Sequence, residues 1–270
     1  MKNLDFIWMF ALICMMPSCS SSQKIAPVPG NQDYDILESV RDIDLDNLQN
    51  IYILNNQNKV VKYTESLERQ YDYSNNLIGE IESIDATNPQ KILCFVKDFN
   101  RILVLDNTLA EINTIDLSTT EYLDVSAVAR TNDNQIWLFD PINQALVKVN
   151  DLVESQYSSN RLADLNLGMI EPVYIREKGN RVVMSDPVIG LLVFDNFGQF
   201  IKLIPEKGIE HFQIFGEYLF FTQNGESFQY HIKRFEKTKL SDLPQGHDRF
   251  FFTKAYTYFV DEDGVVVLKN

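Results

Sequence analysis

Six short apolar runs recur along the chain at nearly even spacing: Ile51-Tyr-Ile-Leu54, Ile92-Leu-Cys-Phe95, Ile136-Trp-Leu-Phe139, Val182-Val-Met-Ser185, Leu219-Phe-Phe-Thr222 and Tyr258-Phe-Val-Asp261. Their starts lie 41, 44, 46, 37 and 39 residues apart. Each is followed, after a polar turn, by a second run: 59–63, 101–105, 145–149, 191–194, 227–230 and 265–268. The turns between them carry Asn55-Asn56-Gln57-Asn58, Asp98-Phe99-Asn100, Asp140-Pro141, Asp186-Pro187, Asn224-Gly225 and Asp263-Gly264, the residues that tight hairpins favour. A third, polar and alternating run closes most units (68–73, 111–115, 199–204), and a weaker one precedes the strongest (82–85, 125–128, 173–175). Four short strands in a unit of about 40 residues, repeated with almost no helical periodicity, predict an all-β, six-bladed β-propeller of four-stranded antiparallel blades. The sixth unit stops at Asn270 after its third strand, while Asp33-Tyr-Asp-Ile-Leu37 stands spare ahead of the first. An N-terminal strand is therefore expected to pair with the last blade and close the ring, since an open ring leaves an unpaired edge.

The first residues follow a different rule. Lys2 is followed by an apolar run of eleven residues, Phe6 to Met16. That is short of the ~20 residues a membrane-crossing helix needs and suits the apolar segment of an export signal. Pro17-Ser18-Cys19 and the polar Ser20-Ser21-Ser22 that follow look like a bacterial lipoprotein signal, in which the cysteine is lipidated and becomes the new N-terminus. The division expected is a signal peptide over 1–18, a flexible tether over 19–32 that begins at the lipidated Cys19, and a propeller over 33–270. In bacterial sorting, Ser20 after the cysteine favours the outer membrane. With no acidic residue between Cys19 and Asp33, the periplasmic face is expected rather than the cell surface. Cys14 leaves with the signal and Cys19 takes lipid, so Cys94, set in an apolar run, is expected to be a small buried hydrophobe without a disulfide.

The propeller segment also resembles a known group. Phe194-Asp-Asn-Phe-Gly-Gln-Phe-Ile201 is similar to the Phe-Asp-x-x-Gly-x-Phe turn of six-bladed, NHL-like propeller lipoproteins of the Bacteroidetes. Asn47-Leu-Gln-Asn-Ile-Tyr-Ile-Leu54 resembles the Gly-Asn-Ile-Tyr-Val start of an NHL repeat. The resemblance covers about residues 40–270, the other repeats lacking most of the glycines. It implies the fold, and a fold says little about activity.

Charge and chemistry narrow the picture. With 24 Lys+Arg against 38 Asp+Glu, the net charge of −14 and the lack of any basic cluster argue against a nucleic-acid or broad anionic-lipid partner. Asp42-Ile-Asp-Leu-Asp46 mimics positions 1, 3 and 5 of a calcium loop, but Asn47 stands where that loop needs glycine and Ile53 where it needs glutamate. It reads as an acidic turn between strands. The three histidines, His211, His231 and His247, all fall in the last third, and His211 and His247 each precede the inner strand of their unit, which places both near one mouth of the channel. Some NHL-related propellers hold catalytic zinc with channel histidines. Yet the first four units supply no histidine, so no metal, no cofactor and no catalytic residue is assigned. Nucleophile elbows, phosphate loops and Cys-x-x-Cys pairs are missing. Aromatics crowd the end of the chain from Phe212 to Phe259; alternation buries half between blades and leaves the rest as a candidate exposed apolar patch.

These observations favour a lipid-anchored, non-enzymatic protein-interaction subunit of an outer-membrane complex in assembly, secretion or transport. The alternative is small-ligand or glycan binding at the propeller mouth, with metal-dependent lyase-type chemistry through the histidines.

Overall fold

The computed structural model describes residues 32–33, 39–261 and 264–269. The signal peptide, Cys19, the tether up to Asn31 and Tyr34–Leu37 lie outside the described residues. Within them, six four-stranded antiparallel sheets form a propeller. Blades 1 to 5 occupy residues 40–74, 83–116, 128–158, 174–204 and 213–239, each a simple meander from the axis outward; blade 6 occupies 249–269 and takes its outermost strand from the N-terminal side. The strand Gln32–Asp33 pairs antiparallel with Gly264–Lys269, Gln32 opposite Leu268 and Asp33 opposite Val267. The ring is thus closed by an N-terminal strand, as the spare segment predicts. The strongest apolar runs are the second strands, and the runs after them match the third strands Lys59–Tyr63, Arg101–Leu105 and Ala145–Val149 residue for residue.

The unbroken apolar runs follow from burial on both faces. Along Ile92–Val96, Ile92, Cys94 and Val96 pack towards blade 1, whereas Leu93 and Phe95 pack towards blade 3. Ile136 and Leu138 face blade 2 while Trp137 and Phe139 face blade 4. Successive side chains on a strand point to opposite faces, so a blade wedged between two others must be apolar at both parities. The core is accordingly six clusters, one at each blade interface. Fourth strands such as Arg69–Ser74 and Ser155–Ser158 lie on the rim and are exposed, which is why they read as polar. Cys94 is buried and free, and burial pushes its thiol far above the ordinary range.

Turn chemistry explains the missing glycines. In the third-to-fourth turns an Asp or Asn side chain accepts two backbone N–H groups: Asp106 from Thr108 and Ala110, Asn150 from Leu152 and Glu154, Asp195 from Phe197 and Gln199. The left-handed position falls on Gly198 in blade 4, but on Leu67, Leu109 and Val153 in blades 1, 2 and 3. A side chain there costs roughly 1–2 kcal/mol of backbone strain. Leu109 and Val153 offset it by packing into the neighbouring blade interface.

Two expectations are corrected. Asp42-Ile-Asp-Leu-Asp46 is not a turn: Val40–Leu45 is the innermost strand of blade 1, and only Asp46 belongs to the turn, where it accepts the N–H groups of Leu48 and Asn50. Buried carboxylates are tolerated on this strand because the next blade supplies donors, Ile84 N–H to Asp42 (2.9 Å) and Ala86 N–H to Asp44 (2.7 Å). The late aromatic cluster leaves no broad patch either. Phe212, Phe220, Phe221, Phe250, Phe251, Phe252, Tyr258 and Phe259 are buried, and Phe235 alone of that cluster is strongly exposed, at 65%.

Candidate functional site

The meander places second-to-third turns and blade-to-blade connections on one face of the ring, called the connection face below. The other turns lie on the opposite face. At the connection-face mouth of the axis, blades 1, 5 and 6 enclose a cavity of about 750 Å³. Val40 and Arg41 enter from the first residues of blade 1, Asn56 from its hairpin turn, and Thr222 and Asn224 from the blade 5 hairpin. The segments leading into the inner strands of blades 5 and 6 add Glu210, His211, His247, Asp248 and Arg249. The structure therefore brings His211 and His247 together in one cavity. His231 is elsewhere, at the end of Glu226–His231 on the opposite face, with its Nε2 3.6 Å from the Glu217 carboxylate. Among the described residues no cluster of three or more His, Cys, Asp or Glu side chains is arranged to hold a metal ion.

His211 rests edge-on against Tyr174 (ring centroids 4.8 Å apart), and Tyr174 in turn covers the Arg176 guanidinium at 4.1 Å. Burial, reinforced by the positive charges of Arg249 and Arg176, holds the His211 pKa well below its usual value, so its ring is neutral at physiological pH. Its Nδ1 and the Thr222 hydroxyl are buried without a hydrogen-bond partner. Both cavity arginines are already engaged. Arg249 donates to Asp42 (2.9 Å) and to the Arg41 carbonyl, whereas Arg41 pairs with Glu80 and donates to Asn58 (2.9 Å).

Below this cavity the axis is crossed by a side chain. Arg176, on the inner strand of blade 4, donates to the Ile84 carbonyl of blade 2 (2.7 Å) and lies 3.3 Å from Asp44 of blade 1 and 3.5 Å from Asp85 of blade 2. It lines a pocket of about 70 Å³ together with Leu45, Thr87, Lys178 and Ile214 among others. Desolvation of Asp44 outweighs the attraction of Arg176, and its pKa is raised to about 7. Asp42, Asp44 and Asp85 lock neighbouring blades together: the first two accept N–H groups of blade 2, and Asp85 accepts the Arg130 N–H (2.8 Å) of blade 3.

Sequence reasoning placed the two histidines and missed the arginines and aspartates of the axis. The partial signal was the alternation of Asp42-Ile-Asp-Leu45, a strand pattern that in the sequence reads as an acidic turn; Asp85, Arg176 and Arg249 stand in no comparable pattern.

No family model matches the chain, and no curated protein matches it. Solved structures do resemble it. A catalytically inactive virginiamycin B lyase from Staphylococcus aureus, solved with quinupristin, superposes with a TM-score of 0.63 at 9% identity, over 89% of this chain and 98% of that one. The WD40 domain of Neurospora crassa Pan2 gives 0.59 at 10% identity, over 86% of this chain and 76% of that one. A protein of unknown function from Bacteroides caccae gives 0.53 at 11%, over 78% and 86%. At such identities the likeness shows the fold alone, a β-propeller, which here has six blades, and the matched structures include a lyase and a WD40 domain.

Proposed function

We propose that the protein is a non-enzymatic binding module, anchored through lipidated Cys19 to the periplasmic face of the outer membrane, that serves as a protein-interaction subunit of a larger envelope complex. The observation that carries this reading is an arc of apolar tips on the connection face. Phe99 (53% exposed), Ile142 (59%) and Val188 (74%) occupy equivalent second-to-third turns of blades 2, 3 and 4. Leu77, at 94%, and the exposed Met169 stand on connections of the same face. The turns are stiff: Asp140 accepts the N–H groups of Ile142 and Asn143, and Asp186 those of Val188 and Ile189. Exposed apolar side chains on preordered loops suit a broad protein contact, because little ordering entropy is lost on binding.

The test is affinity purification from crosslinked membranes. A stoichiometric outer-membrane partner is expected with the native protein, and its loss with Phe99→Ser, Ile142→Ser and Val188→Ser combined while the thermal midpoint holds. Repeated recovery of the protein alone would overturn the reading. For the anchor, Cys19→Ala is expected to move the protein from the membrane to the soluble fraction; an unchanged distribution would rule the lipid out.

A further inference from the structure

We propose that the cavity at the connection-face mouth binds a neutral, hydroxyl-rich small molecule, a short saccharide or similar polyol, held between blades 1, 5 and 6. The site is distinct from the apolar arc of blades 2 to 4, and the proposal does not rest on the protein-contact reading.

Size, unmet hydrogen-bonding groups and charge balance point the same way. A volume of about 750 Å³ falls among ligand sites, which run to roughly 300–1,000 Å³. The His211 Nδ1 and the Thr222 hydroxyl are buried and unpartnered, and both residues also line a void of about 10 Å³ walled by Phe212, Phe220 and Phe250. Leaving such groups without a partner is costly, and a ligand hydroxyl, both donor and acceptor, pairs with either one whichever tautomer His211 adopts.

Charge selects against ions. Arg41 and Arg249 are offset on the cavity wall by Glu210 and Asp248, and their guanidinium groups are held by Glu80 and the buried Asp42. An anion would have to take Arg249 from Asp42, leaving a buried carboxylate unpaired. A cation would face both arginines. Beyond those pairings the wall offers the Arg41 Nε–H, buried without a partner, and neutral groups: the amides of Asn56 and Asn224, the Thr222 hydroxyl and an uncharged imidazole. Trp137 is fully buried, so recognition rests on hydrogen bonds and not on stacking against indole.

The experiment is calorimetric titration of the full-length protein with cellobiose, maltose and N,N′-diacetylchitobiose, set beside digalacturonate and inorganic phosphate. At least one neutral sugar is expected to bind saturably, and more tightly than either anion. Thr222→Val and His211→Phe, each deleting one polar group at nearly constant volume, are expected to weaken that affinity by about three- to tenfold, the worth of one neutral hydrogen bond. Leu152→Ser on the opposite face is expected to leave it unchanged. The proposal is overturned if no neutral sugar binds, if an anion binds more tightly, or if binding survives both substitutions undiminished in variants whose thermal midpoints match the native protein.

Discussion

Replacing Arg176 by methionine keeps most of the side-chain volume and removes the cation that spans the axis. The guanidinium donates to the carbonyls of Ile84 (2.7 Å) and Ile175 (2.9 Å) and is the close positive charge for Asp44 and Asp85. Deleting one partner of a buried ionic cluster costs about 3–5 kcal/mol, because the remaining carboxylates stay desolvated and lose their compensation. The loss should appear as a fall of about 1–2 M in the urea midpoint at pH 8. The pH dependence separates this account from simple loss of packing. Asp44 holds its proton up to about pH 7 in the folded protein, against 3.8 when unfolded. Its contribution to stability is therefore fully present below the unfolded value and lost as pH rises through 7. At pH 5 Asp44 is already neutral and needs Arg176 less, so the cost of Arg176→Met should be at least about 1 kcal/mol smaller there than at pH 8. Adding Asp44→Asn, which keeps an oxygen for the Ala86 N–H, should recover most of that pH-dependent part. A cost below about 1 kcal/mol at pH 8, or equal costs at both pH values, would refute the assignment of Arg176 as the charge that compensates the axial carboxylates.

Three further outcomes are expected. Gly190→Ala should destabilise by about 2 kcal/mol or more in thermal unfolding, since its φ of +130° suits glycine and a Cβ would collide with the Ile204 carbonyl oxygen. Trp137→Phe should cost roughly 1–3 kcal/mol beyond its packing loss, because the indole N–H donates to Glu177, a buried carboxylate whose pKa burial already raises. Its replacement without measurable loss would deny that bond any role. Removing residues 32–37, and with them the paired strand Gln32–Asp33, should lower the melting temperature sharply by opening the ring at blade 6, and an unchanged value would count against closure by the N-terminal strand.

The fold was legible because blades bury their strands on both faces: runs such as Ile92-Leu-Cys-Phe95 and Ile136-Trp-Leu-Phe139, the polar turns that follow them and their spacing carry the architecture on their own. The spare N-terminal segment likewise announced the closure, since an unsatisfied sheet edge has to be met from somewhere. The site was only half visible. His211 and His247 stood out as rare residues at equivalent places in their units, and they do share a cavity. Asp42, Asp44, Asp85, Arg176 and Arg249 gave no such sign, because each is ordinary in its own strand. Their meaning depends on a ring that brings Arg176 of blade 4 against the Ile84 carbonyl, 92 residues earlier in the chain. Equally, alternation left half of the late aromatics as a candidate exposed patch, whereas blade-to-blade packing leaves Phe235 alone of them strongly exposed and puts the apolar tips at Phe99, Ile142 and Val188. Periodicity is a local property and survives in the sequence; which charges meet across the axis is set by closure of the ring, and that only the tertiary structure decides.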